Sequence, residues 1–436
     1  MECPEYIYWM DGFHTVCFWK YSRIKVLVQQ LLMTAIEDFT MENKHMNKYI
    51  EATQNGLVHT YNQFPIVLEK GEGVYLYDTE GKKYLDFAAG YAVSSLGYGN
   101  QELNDALKAQ IDQLFHTSNL YYHTACGKAA EDLKRVTGMD RIFFTNSGGE
   151  AVEGTLKAAR KYAYKRKTGR YEFIAMKESF HGRSFGAVSV TGHDAYREPF
   201  EPLVPGVSFA EYNNLESVKA LVTDKTCAII LEPLQGEGGI NVASEEFMKG
   251  IRKLCDEEGI LMICDEVQCG MGRTGSMFAW QSYGIKPDIM SMAKAIGSGI
   301  PVGAFAMTEE VAQYSLEPGD HGTTYGGNPL ACTAVSKTVE IFERENLVSH
   351  VQEIGAYLSE QLDILVQESD CVTARKGKGL MQGIQVTKPT GEIANAALQE
   401  GLLVIGAGAD VIRFVPPLII EKEHVDEMIE KLKKVL

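Results

Sequence analysis

The sequence ILMICDEVQCGMGRTG, residues 260–275, decides the fold class of this chain. It opens with an apolar run at 260–264, which has the length and composition of a strand buried on both faces of a sheet. Asp265 and Glu266 follow where that strand would end. Two adjacent acids at a buried strand end are costly unless they are paired, so they are candidates for metal ligands, a catalytic base or partners of a cationic ring nitrogen.

Similar short apolar runs alternate with helical patterns over the middle of the chain. Predicted strands lie at residues 142–144, 173–176, 228–231, 289–292 and 303–307, and predicted helices at 101–114, 149–166 and 244–258. Strands separated by helices indicate a mostly parallel sheet covered on both faces. The sequence therefore predicts an α/β fold with a large domain at residues 99–330.

The segments on either side of this domain are predicted to form a smaller α+β domain from both chain ends. Residues 46–98 contain a strand–turn–strand pattern at 74–87, where aromatic and β-branched residues alternate. Residues 331–436 contain two long helices, short strands at 380–386, 402–404 and 411–414, and a final amphipathic helix. Residues 1–45 are aromatic-rich and lack this order, so we expect an appendage of unknown role there, with later methionines as alternative starts.

The charge and composition of the chain exclude several classes of function. The 436 residues carry 42 Lys and Arg against 58 Asp and Glu, a formal net charge of −16, which disfavours nucleic-acid or anionic-membrane partners. The 9 cysteines show neither CxxC nor CxxH spacing, which favours free thiols in a reducing cytoplasm over disulfides or a metal site. We expect no membrane-crossing segment, and the acidic start MECPEYIYWMD does not resemble a signal peptide.

The residues beyond the predicted strand ends carry the chemistry, because ligands of open parallel sheets bind at that edge. The strand at 142–144 is followed by Ser147, Gly148 and Gly149 and then by a helix. Glycines let the backbone approach a ligand, and the helix N-terminus offers unpaired N–H groups to an anion, so this turn is interpreted as a phosphate cradle. An ordinary strand–helix turn uses the same residue types, and the stretch matches neither a Walker loop nor GxGxxG.

Two other strand ends add an aromatic ring, a cation and an amine. Phe180 and Arg183 follow one strand, and they are suited to stacking on a ring and binding a carboxylate, whereas His181 between them is predicted to be structural. Lys294 follows the strand at 289–292 and is enclosed by small apolar residues. Desolvation lowers the pKa of a lysine and frees its amine for imine formation, while a surface lysine is the alternative.

A phosphate cradle, a stacking aromatic ring, a buried acid and a buried lysine together match the needs of one cofactor. Pyridoxal 5'-phosphate requires a lysine for its aldehyde, an acid that keeps its pyridinium nitrogen protonated, and an anion site for its phosphate. The sequence therefore predicts a pyridoxal-phosphate enzyme.

Seven segments, in the same order, resemble the class III pyridoxal-phosphate-dependent aminotransferases over residues 47–436. They are NSGGEAVEGTLKAARK, SFHGRSFGAVSVTG, EPLQGEGGI, DEVQCGMGRTG, FAWQSYGIKPDIMSMAKAIGSGIPVGA, HGTTYGGNPLAC and IRFVPPL. The resemblance implies the fold type I architecture of these transferases, and it looks closest to the acetylornithine aminotransferase branch. It implies a homodimer with shared active sites that transaminates N2-acetyl-L-ornithine with 2-oxoglutarate, giving N-acetyl-L-glutamate 5-semialdehyde and L-glutamate in arginine biosynthesis.

The resemblance also implies roles for the residues that match the motifs. Lys294 matches the lysine that carries the cofactor, and Asp265 matches the partner of the pyridinium nitrogen. The other cofactor contacts implied are Ser147, Gly148 and Gly149 at the phosphate, Phe180 and Val267 on the two ring faces, Gln268 near the ring hydroxyl, and Thr324, which the neighbouring subunit lends to the phosphate.

Substrate contacts are implied in the same way. Arg183 and Arg413 match residues that bind substrate carboxylates, and Glu237 matches an acid that pairs with Arg413. Tyr91 lies where acetylornithine enzymes usually carry an aliphatic residue and ornithine aminotransferases carry a tyrosine. This position bears on the choice of amino donor.

The chain departs from the pattern of the family at two further places. Gly149 replaces the commoner Thr or Ala of the phosphate loop, and LGYGNQ at 96–101 replaces the usual GHxHP. The alternative amino donors are ornithine, succinylornithine and 4-aminobutyrate. The alternative activity is that of a racemase or aminomutase of the same fold.

Overall fold

The computed structural model describes residues 47–436, so the appendage expected at 1–45 lies outside the described residues. The chain divides into two units, Met1–Leu68 and Glu69–Leu436. In the first unit, the described residues contain helix α1, Lys48–Gly56, which begins after Asn47. The Asn47 side chain accepts a hydrogen bond from the Tyr49 N–H and so satisfies one of the free N–H groups at the helix start.

Strands and helices alternate over most of the second unit. The strands are β1 (Leu68–Glu72), β2 (Tyr75–Asp78), β3 (Lys83–Asp86), β4 (Arg141–Thr145), β5 (Glu172–Met176), β6 (Val207–Ala210), β7 (Thr226–Leu231), β8 (Leu234–Gln235), β9 (Asn241–Val242), β10 (Leu261–Asp265), β11 (Ile289–Met292), β12 (Gly303–Met307), β13 (Val372–Lys378), β14 (Met381–Val386), β15 (Leu402–Leu403), β16 (Ile405–Ala407) and β17 (Val411–Phe414). The helices are α2 (Gln101–Gln113), α3 (Thr124–Thr137), α4 (Gly148–Lys165), α5 (Phe185–Ser189), α6 (Asp194–Arg197), α7 (Leu215–Lys219), α8 (Glu245–Glu258), α9 (Glu309–Tyr314), α10 (Pro329–Arg344), α11 (Leu347–Glu368), α12 (Thr390–Gln399) and α13 (Lys422–Lys433). Short 3₁₀ helices lie at Glu198–Phe200, Ala279–Tyr283 and Lys294–Ile296.

The largest sheet has seven strands in the order β4-β12-β11-β10-β7-β5-β6. Strand β10 lies at its centre and pairs in parallel with β11 and β7. In this register Asp265 lies beside Ser291 of β11. The prediction of an α/β fold with a mostly parallel sheet is confirmed.

One strand of this sheet runs against the others. Strand β12 is antiparallel to both β11 and β4. The ten-residue segment 293–302 joins β11 to β12, which is short for the dozen or more residues that a parallel crossover needs. The chain therefore turns back after Lys294, and the segment that carries this lysine is a short connection between antiparallel strands.

Helix α4 packs closely on this sheet, and that contact fixes the start of the helix next to β12. A Cβ on Gly154 would lie 2.1 Å from the Phe305 ring, so only glycine allows the helix to approach the strand this closely. The buried face of α4 is otherwise formed by small residues such as Ala151, Ala158 and Ala159. The N-terminus of α4 is thereby held at the carboxyl end of β4.

Two smaller sheets contain the segments predicted to form the small domain. One has the order β13-β14-β17-β16, and its registered pairs are antiparallel. The other has the order β1-β2-β3-β15, in which Leu402 of β15 pairs in parallel with Leu85 of β3. A late strand therefore completes an early sheet, while the domain boundaries at 98 and 330 stay a prediction. Over residues 47–436, no helix combines the length and apolar character needed to span a bilayer.

Candidate active site

A cavity of about 380 Å³ lies at the carboxyl ends of the central strands, the edge at which open parallel sheets bind ligands. Its walls come from the segments that follow β4, β5, β7, β10 and β11. Among the residues predicted from sequence, the lining includes Ser147, Gly148, Gly149, Phe180, Glu237, Asp265, Val267, Gln268 and Lys294. The structure thus brings these residues to one place, while the individual roles implied for them stay predictions.

Lys294 lies two residues beyond β11, at the first position of a 3₁₀ helix. Its φ angle of +50° is in the left-handed region, which a residue other than glycine adopts at an energetic cost. Burial lowers the pKa of Lys294 to about 8, although the carboxylates of Glu237 and Asp265 oppose the shift. With such a pKa, roughly a tenth of the amines are neutral at pH 7, so the side chain is available as a nucleophile.

The carboxylate of Asp265 is held by three donors. Its Oδ2 lies 2.7 Å from His181 Nδ1, and its Oδ1 accepts from the Ser291 hydroxyl at 2.9 Å and the Val267 N–H at 3.0 Å. Burial alone would lower the pKa of His181, but the bond with Asp265 outweighs it and raises that pKa. The other ring nitrogen of His181 is buried without a hydrogen-bond partner among the described residues. His181, predicted as a structural histidine, therefore also lines the cavity and orients the acid.

The predicted phosphate cradle is the first turn of α4. The Ser147 hydroxyl accepts from the Glu150 N–H at 3.2 Å and caps the helix, while Gly148 and Gly149 form its first two residues. A Cβ on Gly148 would lie 2.8 Å from a methyl group of Val267, so glycine is required where the helix start meets the loop after β10. The free N–H groups of this eighteen-residue helix face the cavity with a partial positive charge.

Arg413 lies behind the cavity wall and is paired with two of the predicted residues. Its Nη1 donates to Glu237 Oε1 at 2.8 Å and to Gln268 Oε1 at 2.9 Å. The Arg413 side chain is fully buried, whereas that of Glu237 is 26% exposed. Burial raises the pKa of Glu237, but the Arg413 guanidinium reverses this effect and holds that pKa below its usual value. Glu237 is therefore a charged and partly accessible partner for a buried cation.

The remaining predicted residues lie outside the cavity lining. The Tyr91 ring is half-exposed and its centre lies 5.4 Å from the guanidinium carbon of Arg413. Arg183 is exposed, and its guanidinium carbon lies 3.9 Å from the centre of the Tyr196 ring and 5.2 Å from that of Phe180. Thr324 is exposed on the loop before α10 and is not among the residues around this cavity.

Sequence reasoning missed Glu232, which lines the cavity directly after β7. Its carboxylate accepts from the Phe180 N–H at 3.1 Å and the Gly236 N–H at 3.4 Å. Burial raises the pKa of Glu232 to about 7. The rule that located Asp265, an acid at the end of a buried strand, applies equally to Glu232, which follows the apolar run of β7. Ser291 was missed for a different reason, because it lies within a strand and its hydroxyl is brought to Asp265 only by the strand register.

These residues fit the pyridoxal phosphate predicted from sequence. An amine with a pKa of about 8 is present for the aldehyde, and a carboxylate anchored by His181 is present for the ring nitrogen. The helix start beside them presents two glycines and a serine, a donor set suited to a phosphate group. The side chains of Phe180 and Val267 line the same cavity and provide apolar surfaces for a ring.

Curated relatives resemble the chain over nearly its whole described length. It is 44% identical over 390 residues to the acetylornithine aminotransferase of Methanocaldococcus jannaschii, which covers 89% of this chain and 97% of that protein. It is 47% identical over 382 residues to the acetylornithine aminotransferase of Archaeoglobus fulgidus, which covers 88% of this chain and 98% of that protein.

Solved structures resemble the fold closely. The ornithine aminotransferase of Toxoplasma gondii, in a crystal structure with partial occupancy of pyridoxal phosphate at its active site, superposes with a TM-score of 0.85 at 29% identity and covers 92% of this chain and 96% of that chain. The acetylornithine aminotransferase of Elizabethkingia anophelis superposes with a TM-score of 0.79 at 30% identity and covers 89% and 97%. The family model for class-III aminotransferases matches residues 57–436. The chain therefore belongs to the class-III aminotransferase family and is a pyridoxal-phosphate-dependent transaminase.

Proposed function

We propose that this transaminase moves the side-chain amino group of N2-acetyl-L-ornithine to 2-oxoglutarate, giving N-acetyl-L-glutamate 5-semialdehyde and L-glutamate in arginine biosynthesis. The observation that carries the proposal is the near full-length similarity to curated acetylornithine aminotransferases. The similarity extends to the active site, because the segments around Lys294, Asp265 and Arg413 all fall within the region that the family model matches.

The cavity residues divide the work of transamination among them. Bound pyridoxal phosphate supplies an aldehyde to which amines add and a ring that accepts electrons from the carbon that loses a proton. Lys294 would hold the aldehyde of the cofactor, and its free amine would take up and return the proton at the substrate carbon. The Asp265 carboxylate would keep the ring nitrogen protonated, and His181 and Ser291 hold that carboxylate in place.

The pair of Arg413 and Glu237 suits a site that must accept two different substrates in turn. 2-Oxoglutarate reacts next to one of its carboxylates, whereas the acetylornithine donor reacts far from its own carboxylate. A free Arg413 favours the first substrate and opposes the amine of the second. Glu237 is partly exposed and lies beside Gly236 and Gly238, so a release of Arg413 and a return to it require motion of only one short segment.

We also propose that the active unit is a cytoplasmic homodimer with shared active sites. Thr324 is exposed and does not line the cavity of its own chain, which supports its donation to the phosphate of a second copy. Large apolar side chains are exposed around it and in the segment between α2 and α3: Phe115, Leu120, Tyr121, Tyr122 and Tyr325. An apolar surface of this kind is typical of an interface between subunits. The free cysteines among the described residues support a reducing compartment.

Ornithine is the second candidate donor, and one observation favours it. The hydroxyl-bearing ring of Tyr91 lies over Arg413 at the edge of the site, where it is placed to contact a free α-amino or carboxylate group. An aliphatic side chain at this position would leave more room for an acyl group.

A donor panel tests the proposal. Purified enzyme with added pyridoxal phosphate and 2-oxoglutarate is assayed for glutamate formation with N-acetylornithine, ornithine, succinylornithine and 4-aminobutyrate. We expect the highest kcat/KM with N-acetylornithine. A higher value with ornithine would replace the proposal by the second candidate, and absence of glutamate with all four donors would refute the proposed donor class.

A further inference from the structure

The segment between β3 and α2 contains a short left-handed helical turn. The φ angle is positive at four consecutive residues: Ala89 (46°), Gly90 (62°), Tyr91 (64°) and Ala92 (67°). The Ala92 N–H donates to the Ala88 carbonyl at 3.0 Å and the Val93 N–H to that of Ala89 at 2.8 Å, which closes one left-handed turn. Only glycine adopts this conformation without steric cost, so the turn must be imposed by its surroundings.

Asp86 imposes the start of the turn. Its Oδ1 accepts hydrogen bonds from the N–H groups of Ala88 at 2.8 Å and Ala89 at 2.9 Å. Its Oδ2 accepts from the Tyr98 hydroxyl at 2.5 Å. The Asp86 side chain is buried, so water is not available to replace these partners. One carboxylate therefore links the first residues of the turn to a tyrosine beyond its end.

Tyr98 is itself fixed from outside the turn. Its N–H and carbonyl form a reciprocal pair with Gly73, at 2.8 and 2.9 Å. Its ring lies over Gly71, where a Cβ would come within 2.6 Å of the tyrosine side chain. Tyr98 belongs to the LGYGNQ segment, in which the resemblance had led us to expect histidines. The Tyr98 hydroxyl that donates to Asp86 therefore lies where this sequence departs from the family pattern.

The two ends of the segment are attached to the active site. The Val415 N–H donates to the Phe87 carbonyl at 2.8 Å, directly after the strand that carries Arg413. On the other side, the Ser95 hydroxyl donates to the carbonyl of Ala295 at 3.1 Å, next to Lys294. The turn between these attachments projects the Tyr91 ring to 5.4 Å from the Arg413 guanidinium.

We propose that Asp86 and Tyr98 are positioning residues that set donor preference, because they fix the left-handed turn that holds Tyr91 over Arg413. The inference rests on the proposed function, since it concerns the same site. If the turn relaxes to the ordinary hand, the Cβ of Tyr91 points elsewhere and the ring leaves the guanidinium. The side chain at position 91 then no longer discriminates between amino donors that differ in structure near their carboxylate.

Tyr98→Phe is the variant that tests this inference, because it removes one hydroxyl and keeps the ring over Gly71. Tyr84→Phe is the matched control. The Tyr84 hydroxyl also donates to a carboxylate, that of Asp78 at 2.8 Å, but Tyr84 lies outside the turn. The Tyr84 side chain is buried, whereas that of Tyr98 is half-buried. Both variants are made in the natural sequence and in a Tyr91→Ala background. Thermal unfolding and kcat/KM for the four donors are measured for each.

We expect Tyr98→Phe to change the ratio of kcat/KM between donors by roughly three- to tenfold. This is less than the full effect of a hydrogen bond to a carboxylate, because the lost bond acts on the donor only through the turn. Tyr84→Phe also removes a hydrogen bond from a tyrosine to a carboxylate, so it should lower the unfolding temperature but leave the ratio unchanged. In the Tyr91→Ala background the effect of Tyr98→Phe on the ratio should vanish, because residues that act through one another are not additive.

Two results would overturn the inference. One is an unchanged donor ratio in Tyr98→Phe, and the other is the same change with and without the Tyr91 side chain. Neither result depends on which donor the unmodified enzyme prefers, so a failure of the inference is distinct from a failure of the proposed function. Binding of the unreactive dicarboxylate glutarate, followed by calorimetry, provides a readout without turnover and should weaken in Tyr98→Phe but not in Tyr84→Phe.

Discussion

Replacement of Glu237 by alanine leaves Arg413 permanently unpaired from its carboxylate partner and should damage only one half of the reaction. In the structure Arg413 Nη1 donates to Glu237 at 2.8 Å and to Gln268 at 2.9 Å, and its Nη2 lies 3.3 Å from the Gly406 carbonyl. Gln268 and the Gly406 carbonyl remain as acceptors in the variant, so the buried guanidinium keeps hydrogen-bond partners and the protein should still fold.

The magnitude follows from these contacts. Loss of a charge-assisted hydrogen bond costs roughly 1.5–3 kcal/mol, which corresponds to roughly 10- to 150-fold in a rate or binding constant. The Glu237 side chain is 26% exposed and Gln268 still accepts from the same nitrogen, which places the effect in the lower part of this range. We expect the half-reaction with the amino donor to slow by roughly 10- to 40-fold. The half-reaction with 2-oxoglutarate should be unchanged or faster, because Arg413 no longer has to be released.

Single-turnover absorbance measurements separate the two halves, because each changes the spectrum of the bound cofactor. Enzyme is mixed with donor alone in one series, and amino-form enzyme is mixed with 2-oxoglutarate alone in the other. Glu237→Gln is the matched control, since it keeps an acceptor of similar size without the charge, and it should fall between the natural enzyme and Glu237→Ala. Equal losses in both halves would refute the exchange of partners and leave a static ion pair as the explanation.

Three further predictions follow from the same cavity. Burial lowers the pKa of Lys294 to about 8, so capture of pyridoxal phosphate by the apoenzyme should accelerate about tenfold per pH unit below that value and level off above it. A rate that continues to rise to pH 10 would indicate an ordinary lysine. Lys294→Ala should fold but lose the visible absorbance band and the lysine label left by borohydride reduction. Asp265→Asn should still bind the cofactor but lose turnover on the order of 100-fold, as expected for a preorganised electrostatic partner, and a near-normal kcat would show that this acid is only structural. In Gly149→Thr the added Cβ would lie 3.8 Å from the Ser184 hydroxyl, so the side chain fits; its hydroxyl should tighten binding of the cofactor phosphate by roughly five- to fifteenfold in an apoenzyme titration, and unchanged affinity with normal thermal stability would contradict that contact.

The sequence predicted six of the seven strands of the central sheet and the cavity residues at their ends, because both depend on local patterns. Asp265 and Lys294 stand at the ends of apolar runs, and the strand ends of a parallel sheet meet at one edge whatever the loops do. Strand β13 was missed because its sequence, VTARKGK, is rich in charge and partly exposed at the edge of its sheet. Propensity and apolar pattern carry little information for such a strand.

The left-handed turn could not be predicted for a different reason. Its hand is set by Asp86 and by Tyr98, which lie before and after it, and by attachments to segments more than a hundred residues away. A run such as AAGYAV, residues 88–93, is compatible with an ordinary helix until those partners are known. The same applies to Gln268, whose contact with Arg413 is created by the packing of two separate sheets.

The pairing of β3 with β15 also constrains the order in which the sheets of this protein can be completed during its synthesis. The strand that contains Leu85 can be paired on that side only after Leu402 has emerged from the ribosome. The Tyr75 hydroxyl donates to Glu427, which is synthesised 352 residues later. The central sheet, from β4 to β12, is complete long before then. The strands that carry Asp265 and Lys294 can therefore be in place for less than the last third of translation, while the segment with Arg413, over which Tyr91 lies, is still being added. The early sheet that β15 completes therefore has an unpaired edge until the chain is nearly finished, and an edge of this kind is prone to incorrect pairing.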